Sequence, residues 1–175
     1  MKLIREILSE RYRLSEGADF KVTGIPNSVE SAQELFKRDP FQFEHWAVER
    51  VGGFPTKKSG DRGVDGKLYY ETERGLRSMV LSVKGGGIKP EYIRELSGVV
   101  NDEPDADLGG FICLKQPTAK MMEAARDAGD FEYRGVKYPR VQVMTVEQLI
   151  EGKMEFRSPT KVSSKISTGQ KTLSF

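Results

Sequence analysis

Asp65 stands in a glycine-flanked turn, and Lys84 ends an apolar run before three glycines, both within KKSGDRGVDGKLYYETERGLRSMVLSVKGGG, residues 57 to 87. A carboxylate is a hard oxygen ligand for a divalent cation, and an ammonium stabilises charge gathering on a phosphate. The two share chemistry only if folding brings them together. Strand formers stop at TERGLR, which places a hairpin turn on Arg74 and Gly75. Asp65 is then expected opposite Lys84, Lys67 opposite Ser82 and Tyr69 opposite Val80. Side chains alternate along a strand, so Asp65, Lys67, Ser82 and Lys84 share one face, expected to carry chemistry. Val64, Leu68, Met79, Leu81 and Val83 share the other, expected to pack.

Glu44 is the third candidate. Its segment, PFQFEHWAVERVGG, reads as a helix opened by Pro40 and closed by the glycines at 52 and 53. Ala47, Val48 and Val51 follow Glu44 at helical spacing, so its carboxylate lies on or beside an apolar stripe. Burying an unpaired charge there is costly, and a bound divalent cation would be a partner. Each residue also has an ordinary reading. Asp65 is a common turn former, Lys84 a possible edge-strand gatekeeper, and Glu44 a possible surface partner of Arg50. Asp61 reads as a loop residue and His45, the lone histidine, as structural beside Trp46. Glu95 reads as a solvated helix position, held in reserve as an acid that reaches the sheet from the following helix.

The elements that must position these groups follow from the rest of the chain. SVESAQELFKR is a helix with Ser28 as its cap, and KPEYIRELSGVV another with Ile93, Leu96 and Val100 on one side. LGGFICL lacks polar alternation and reads as a central strand buried on both faces. TAKMMEAARDAG is a helix capped by Thr118 and stopped by Gly129, FEYRGVKY a hairpin, RVQVMT a strand and TVEQLIEG a short last helix. That order predicts an α/β fold with a mixed sheet covered by helices on two faces. Residues 1–27 read as a lead-in whose first part is amphipathic, 28–153 as the domain, and 154–175 as a flexible tail rich in Ser, Thr and Lys.

The 175 residues (19.7 kDa) suffice for one such domain. A formal net charge of +2, with 31% charged residues, does not by itself announce nucleic acid. A local patch would have to do so, and Lys57, Lys58, Arg62 and Lys67 beside Lys84 and Lys89 are the candidates. Cys113 is the single cysteine, expected to be a buried packed side chain and to fit a reducing cytoplasm. No run approaches the roughly 18 apolar residues that span a bilayer, so no membrane partner is expected.

FQFEHWAVERVGGFPTKKSGDRGVDG followed by LSVKGG resembles the Mrr-like restriction endonuclease domain of the PD-(D/E)XK nuclease superfamily. More narrowly, residues 22 to 153 resemble the endonuclease-like module at the carboxyl end of some bacterial site-specific DNA methyltransferases. The resemblance implies a restriction-endonuclease-like α-β-β-β-α-β core and Mg²⁺- or Mn²⁺-dependent cleavage of double-stranded DNA. It matches Glu44 to a metal-supporting helix glutamate, Asp65 to the metal-binding aspartate and Lys84 to the lysine of the final motif. The main-chain carbonyl of Val83 is a further ligand, and Gly85 and Gly86 are expected to let a phosphate chain approach. Ser82 departs from the pattern, standing where the superfamily has Glu or Gln. The implied setting is restriction, defence or DNA processing beside a methyltransferase, with a two-fold homodimer presenting one site to each strand. A catalytically weak DNA-holding module of a methyltransferase and a Holliday-junction-type nuclease are the alternatives.

Overall fold

Side-chain caps set the helix starts. Ser28 accepts from the Ser31 N–H at 3.2 Å while the Ser31 hydroxyl accepts from the Ser28 N–H at 3.0 Å, which starts α1 (Val29–Arg38). Asp39 accepts from the Gln42 N–H and Pro40 takes the first helical position, where a missing N–H costs nothing; α2 (Pro40–Arg50) follows. The computed structural model describes residues 7–15, 24–56 and 63–161. Within 7–15 the chain makes one π-helical turn, Ile7–Arg11, with no buried residue.

The elements continue as β1 (Phe54–Pro55), β2 (Gly66–Thr72), β3 (Gly75–Lys84), α3 (Pro90–Asp102), β4 (Ala106–Cys113), α4 (Ala119–Asp127), β5 (Asp130–Tyr133), β6 (Val136–Pro139), β7 (Val141–Thr145), α5 (Val146–Glu151) and β8 (Thr160–Lys161). The main sheet has the order β1-β2-β3-β4-β7, with β8 also on β2. Its first three strands run antiparallel, and β3, β4 and β7 run parallel. From α2 to β4 the elements follow the expected α-β-β-β-α-β order. Helices α1, α2 and α5 pack on Leu68, Met79, Leu81 and Val83 of one face. Helices α3 and α4 pack on Val80, Phe111 and Val143 of the other. The central strand β4 is buried along almost its whole length, as its apolar run predicts, and carries Cys113, whose thiol burial pushes up to about 11. Among the described residues no helix is long and apolar enough to cross a membrane.

Three expectations need correction. Lys67 pairs with Val80 and Tyr69 with Ser78, two residues along from the expected partners. Glu73 and Arg74 form the turn with negative φ, and Gly75 takes the left-handed φ of 92° immediately after it, so the glycine ends the turn instead of sharing its centre. A slip of two preserves the pleat, so the face assignments of β2 and β3 survive. Val64, which precedes β2, packs with the α3 side instead. Second, the face expected to carry chemistry is itself packed by α3 and α4, and it opens only at a crevice beside Ser82 and Lys84. Third, the segment after 153 is not all tail. Phe156 is 4% exposed in the core, Arg157 N–H donates to Gln142 at 2.7 Å, and β8 pairs with β2.

Candidate active site

The site forms just ahead of β2, where β3 runs on past the start of that strand. The main-chain ladder closes at Gly66 and Leu81, one residue short of Asp65. Asp65 then extends it: its N–H donates to the Leu81 carbonyl at 2.9 Å, and its carboxylate Oδ2 accepts from the Val83 N–H at 2.6 Å. A side chain thus takes the place of a main-chain acceptor and is pinned at the last residues of β3. Lys84 Nζ lies 3.7 Å from the same oxygen, with the two side chains 30% and 15% exposed. Burial pushes the Asp65 carboxyl above its usual range, against the Val83 N–H, the Lys84 charge and the Ser82 hydroxyl, which favour ionisation. The flanking Gly66 is needed for close approach. A Cβ there would come 2.5 Å from a Val48 methyl and 2.9 Å from the Phe54 carbonyl.

Ser82 and Lys84 project toward α3. With Gly63, Tyr92 and Glu95 they line a crevice of about 40 Å³ whose inner wall is Leu96 and Val99. Lys84 Nζ stands 6.0 Å from the centre of the Tyr92 ring and Lys89 Nζ 5.5 Å from it. Ser82 is 6% exposed. Because the N–H and carbonyl of one strand residue point the same way, the Val83 carbonyl leaves β3 on the side of Asp65. The donors gathered here are oxygens, a set suited to a hard cation and not to a thiolate- or imidazole-bound one.

Glu44 is half-buried one turn before Val48 on α2, which covers the opposite face of the sheet from α3. Neither it nor Asp65 is among the residues lining the crevice, which Asp65 adjoins through Lys84. Among the described residues no group of three or more His, Cys, Asp and Glu side chains gathers as a metal cluster. His45 lies tilted against Phe41 with ring centres 4.2 Å apart, and its Nε2 and Nε1 of Trp46 are buried without a hydrogen-bond partner among the described residues.

Other expected contacts fare differently. Lys67 Nζ is engaged by Glu103 at 2.7 Å and Asp105 at 3.0 Å, so it serves an ion-pair group instead of projecting toward a phosphate. Gly85 is filled from within: a Cβ there would lie 2.3 Å from the Phe36 ring of α1. A Cβ at Gly86 would make only ordinary contact with that ring, and one at Gly87 would meet nothing within 4 Å among the described residues. Lys57, Lys58, Asp61 and Arg62 lie outside the described residues. Sequence reasoning missed Tyr92. Its signal was present in KPEY, an aromatic placed in the first turn of the helix after the glycines.

No known family profile matches this chain, and no curated protein does. Among solved structures it is similar to one described as the MspJI restriction endonuclease in complex with a 27-mer oligonucleotide, with 13% identity and a TM-score of 0.48. The likeness covers 78% of this chain and 33% of the other, so the chain spans about a third of that protein.

Proposed function

We propose that this chain is a divalent-metal-dependent endonuclease that hydrolyses phosphodiester bonds of double-stranded DNA. The observation that carries the reading is the Asp65 carboxylate, pinned by the Val83 N–H and standing 3.7 Å from the Lys84 ammonium just ahead of β2. Asp65 and the Val83 carbonyl are the ligands for Mg²⁺ or Mn²⁺, and Glu44 supports the site from α2. When bound, the cation supplies Lewis-acid polarisation of the scissile phosphate and a more acidic water. Lys84 orients the attacking water and stabilises charge on the phosphate oxygens. Lys89, sharing the Tyr92 ring with Lys84, meets the flanking backbone, as do Lys57, Lys58 and Arg62. A homodimer addresses both strands of the duplex, and the setting is restriction, defence or DNA processing in the cytoplasm beside a DNA methyltransferase.

The test is nicking of supercoiled plasmid with Mg²⁺ and with Mn²⁺ by the wild type and by Lys84→Ala. Nicking by the wild type alone supports the reading, and equal activity of the two proteins ends it. A second reading is favoured by Ser82, which brings a neutral hydroxyl to a position where a charged ligand would strengthen metal binding. On that reading the chain holds DNA for a methylating partner, and it would retard duplex in a gel while leaving plasmid intact with Mn²⁺.

A further inference from the structure

Along β2 the α3 side of the sheet carries an aromatic ledge beside Asp65. Lys67 and Tyr69 project from that side, while Leu68 and Tyr70 fill the opposite core. Phe54 of β1 pairs with Lys67, and paired residues share a face, so its ring stands on the same side, 5.7 Å from the Tyr69 ring at a tilt of 54°. Phe54 nevertheless remains 53% exposed. The main chain ties it to the candidate active site: the Thr56 N–H donates to the Asp65 carbonyl at 3.1 Å, and the Phe54 carbonyl lies against Gly66. The ledge begins two residues along the strand from Asp65, a rise of about 7 Å. That is close to two of the ~3.4 Å steps between successive nucleotides of one DNA strand.

The chemistry of the ledge selects its occupant. An added strand finds little edge there, because β1 offers two residues, one of them Pro55 without an N–H, and β8 already occupies β2 at Tyr70 and Glu71. A phosphate is not attracted either, since Glu103 and Asp105 already match the Lys67 ammonium and Glu71 is exposed on the same face. The uncharged π-face of a nucleobase meets neither obstacle, and stacking on an aromatic ring tolerates any base. Inside a duplex both faces of a base are taken by its neighbours, so a base must leave the stack to rest on Phe54.

We propose that Phe54, supported by Tyr69, is a stacking platform for an unpaired nucleobase close to the scissile phosphate, and that the substrate is duplex DNA interrupted by such a base. The inference rests on the nuclease reading for the phosphate at Asp65 and Lys84. Lys84 and Lys89 hold the backbone, and Phe54 reads the break in stacking.

In the experiment the whole chain is titrated, in EDTA and again in Ca²⁺, into duplexes that are fully paired or carry one bulged 2-aminopurine, whose fluorescence falls on stacking. Wild type is expected to quench the bulged base and to bind bulged duplex about tenfold tighter than paired duplex. Phe54→Leu, which keeps β1 apolar, is expected to abolish the quenching and to cut the preference about fivefold or more, while Phe54→Trp keeps both. Lys84→Ala is expected to keep the quenching. Quenching unchanged in Phe54→Leu, or equal affinity of wild type for the two duplexes, overturns the inference even if plasmid is nicked with Mg²⁺. Loss of self-association in Phe54→Leu with quenching retained makes the ledge a subunit contact and overturns it as well. The Phe54-dependent pattern without nicking of any DNA in Mg²⁺ or Mn²⁺ supports the platform and defeats the nuclease reading. No DNA binding by the wild type overturns both.

Discussion

The two ends of the β2–β3 hairpin use the same residue types to opposite ends. Toward the turn, Arg77 grips Asp107 with Nε at 2.8 Å and Nη2 at 2.6 Å, and the Tyr70 hydroxyl donates to the same carboxylate at 3.0 Å. Alongside, Asp105 accepts from Lys67 at 3.0 Å and from the Ser78 hydroxyl at 3.1 Å. Burial alone would raise Asp105, but Lys67 and Ser78 hold its carboxyl below the usual range. At the far end, burial dominates and Asp65 is raised, although Val83, Lys84 and Ser82 all favour its charge. The turn end is a closed polar network, while the open end keeps a carboxylate whose charge is incompletely offset. A carboxylate left in that state is what a cation would stabilise.

If that contrast is sound, substitutions at the two ends fail in different measurements. The largest effect is expected on activity at the open end. Lys84→Ala should lower plasmid nicking by about 10²-fold or more while leaving the melting temperature unchanged, since it removes charge stabilisation and only a partly exposed pair. Lys67→Ala, two residues from Asp65 but with its ammonium held in the closed network by Glu103 and Asp105, should leave nicking intact. Reversal of that order would erase the distinction.

Stability should report the converse. Asp107→Ala leaves the Arg77 guanidinium and the buried Tyr70 hydroxyl without their shared acceptor, with Arg77 and Asp107 side chains only 20% and 16% exposed. A loss of about 2–4 kcal/mol is expected in urea denaturation, with activity per folded molecule preserved. A smaller loss, about 1–3 kcal/mol, is expected for Gly66→Ala, whose added methyl meets Val48 and the Phe54 carbonyl. Because that contact seats α2 beside Asp65, Gly66→Ala should also reduce nicking, which Asp107→Ala should not.

Much of this was readable in advance because the governing physics is local. Ser28 and Thr118 cap the helices their positions predict, and Thr145 caps the last one. Lys67, Ser82 and Lys84 share the expected face despite the shifted turn, since the pleat has a period of two and the slip is two residues. What was not legible depends on distant partners. Lys67 meets Glu103 and Asp105 from the loop after α3, and nothing near Lys67 in sequence distinguishes a phosphate-bound lysine from an ion-paired one. Gly85 signals close approach by something, and the partner is Phe36 of α1. Phe156 is a lone aromatic in a polar segment, yet it is buried against Gly110, whose missing side chain makes the space.

The smallest expected effect separates the two aspartates by pH. Asp65 has a folded carboxyl raised above its unfolded value, so the folded state holds the proton more tightly. Stability from this group therefore falls as pH rises through the interval between the unfolded and the higher folded value, then stays level. Asp105 is lowered, so its contribution is present above the unfolded value and is lost as pH falls through the folded one. At pH 7 Asp65→Asn, which keeps an acceptor for the Val83 N–H, should raise the melting temperature, and the gain should vanish in acid. Asp105→Asn should lower it, with a loss of stability under about 1 kcal/mol because the Asp105 side chain is 43% exposed and screened by solvent. Thermal melts between pH 3 and 7 check both signs, and Mn²⁺ should raise the melting temperature of wild type but not of Asp65→Asn. Destabilisation by Asp65→Asn at pH 7 without metal would mean that its carboxylate is a structural partner like Asp105, and the two ends of the hairpin would no longer differ.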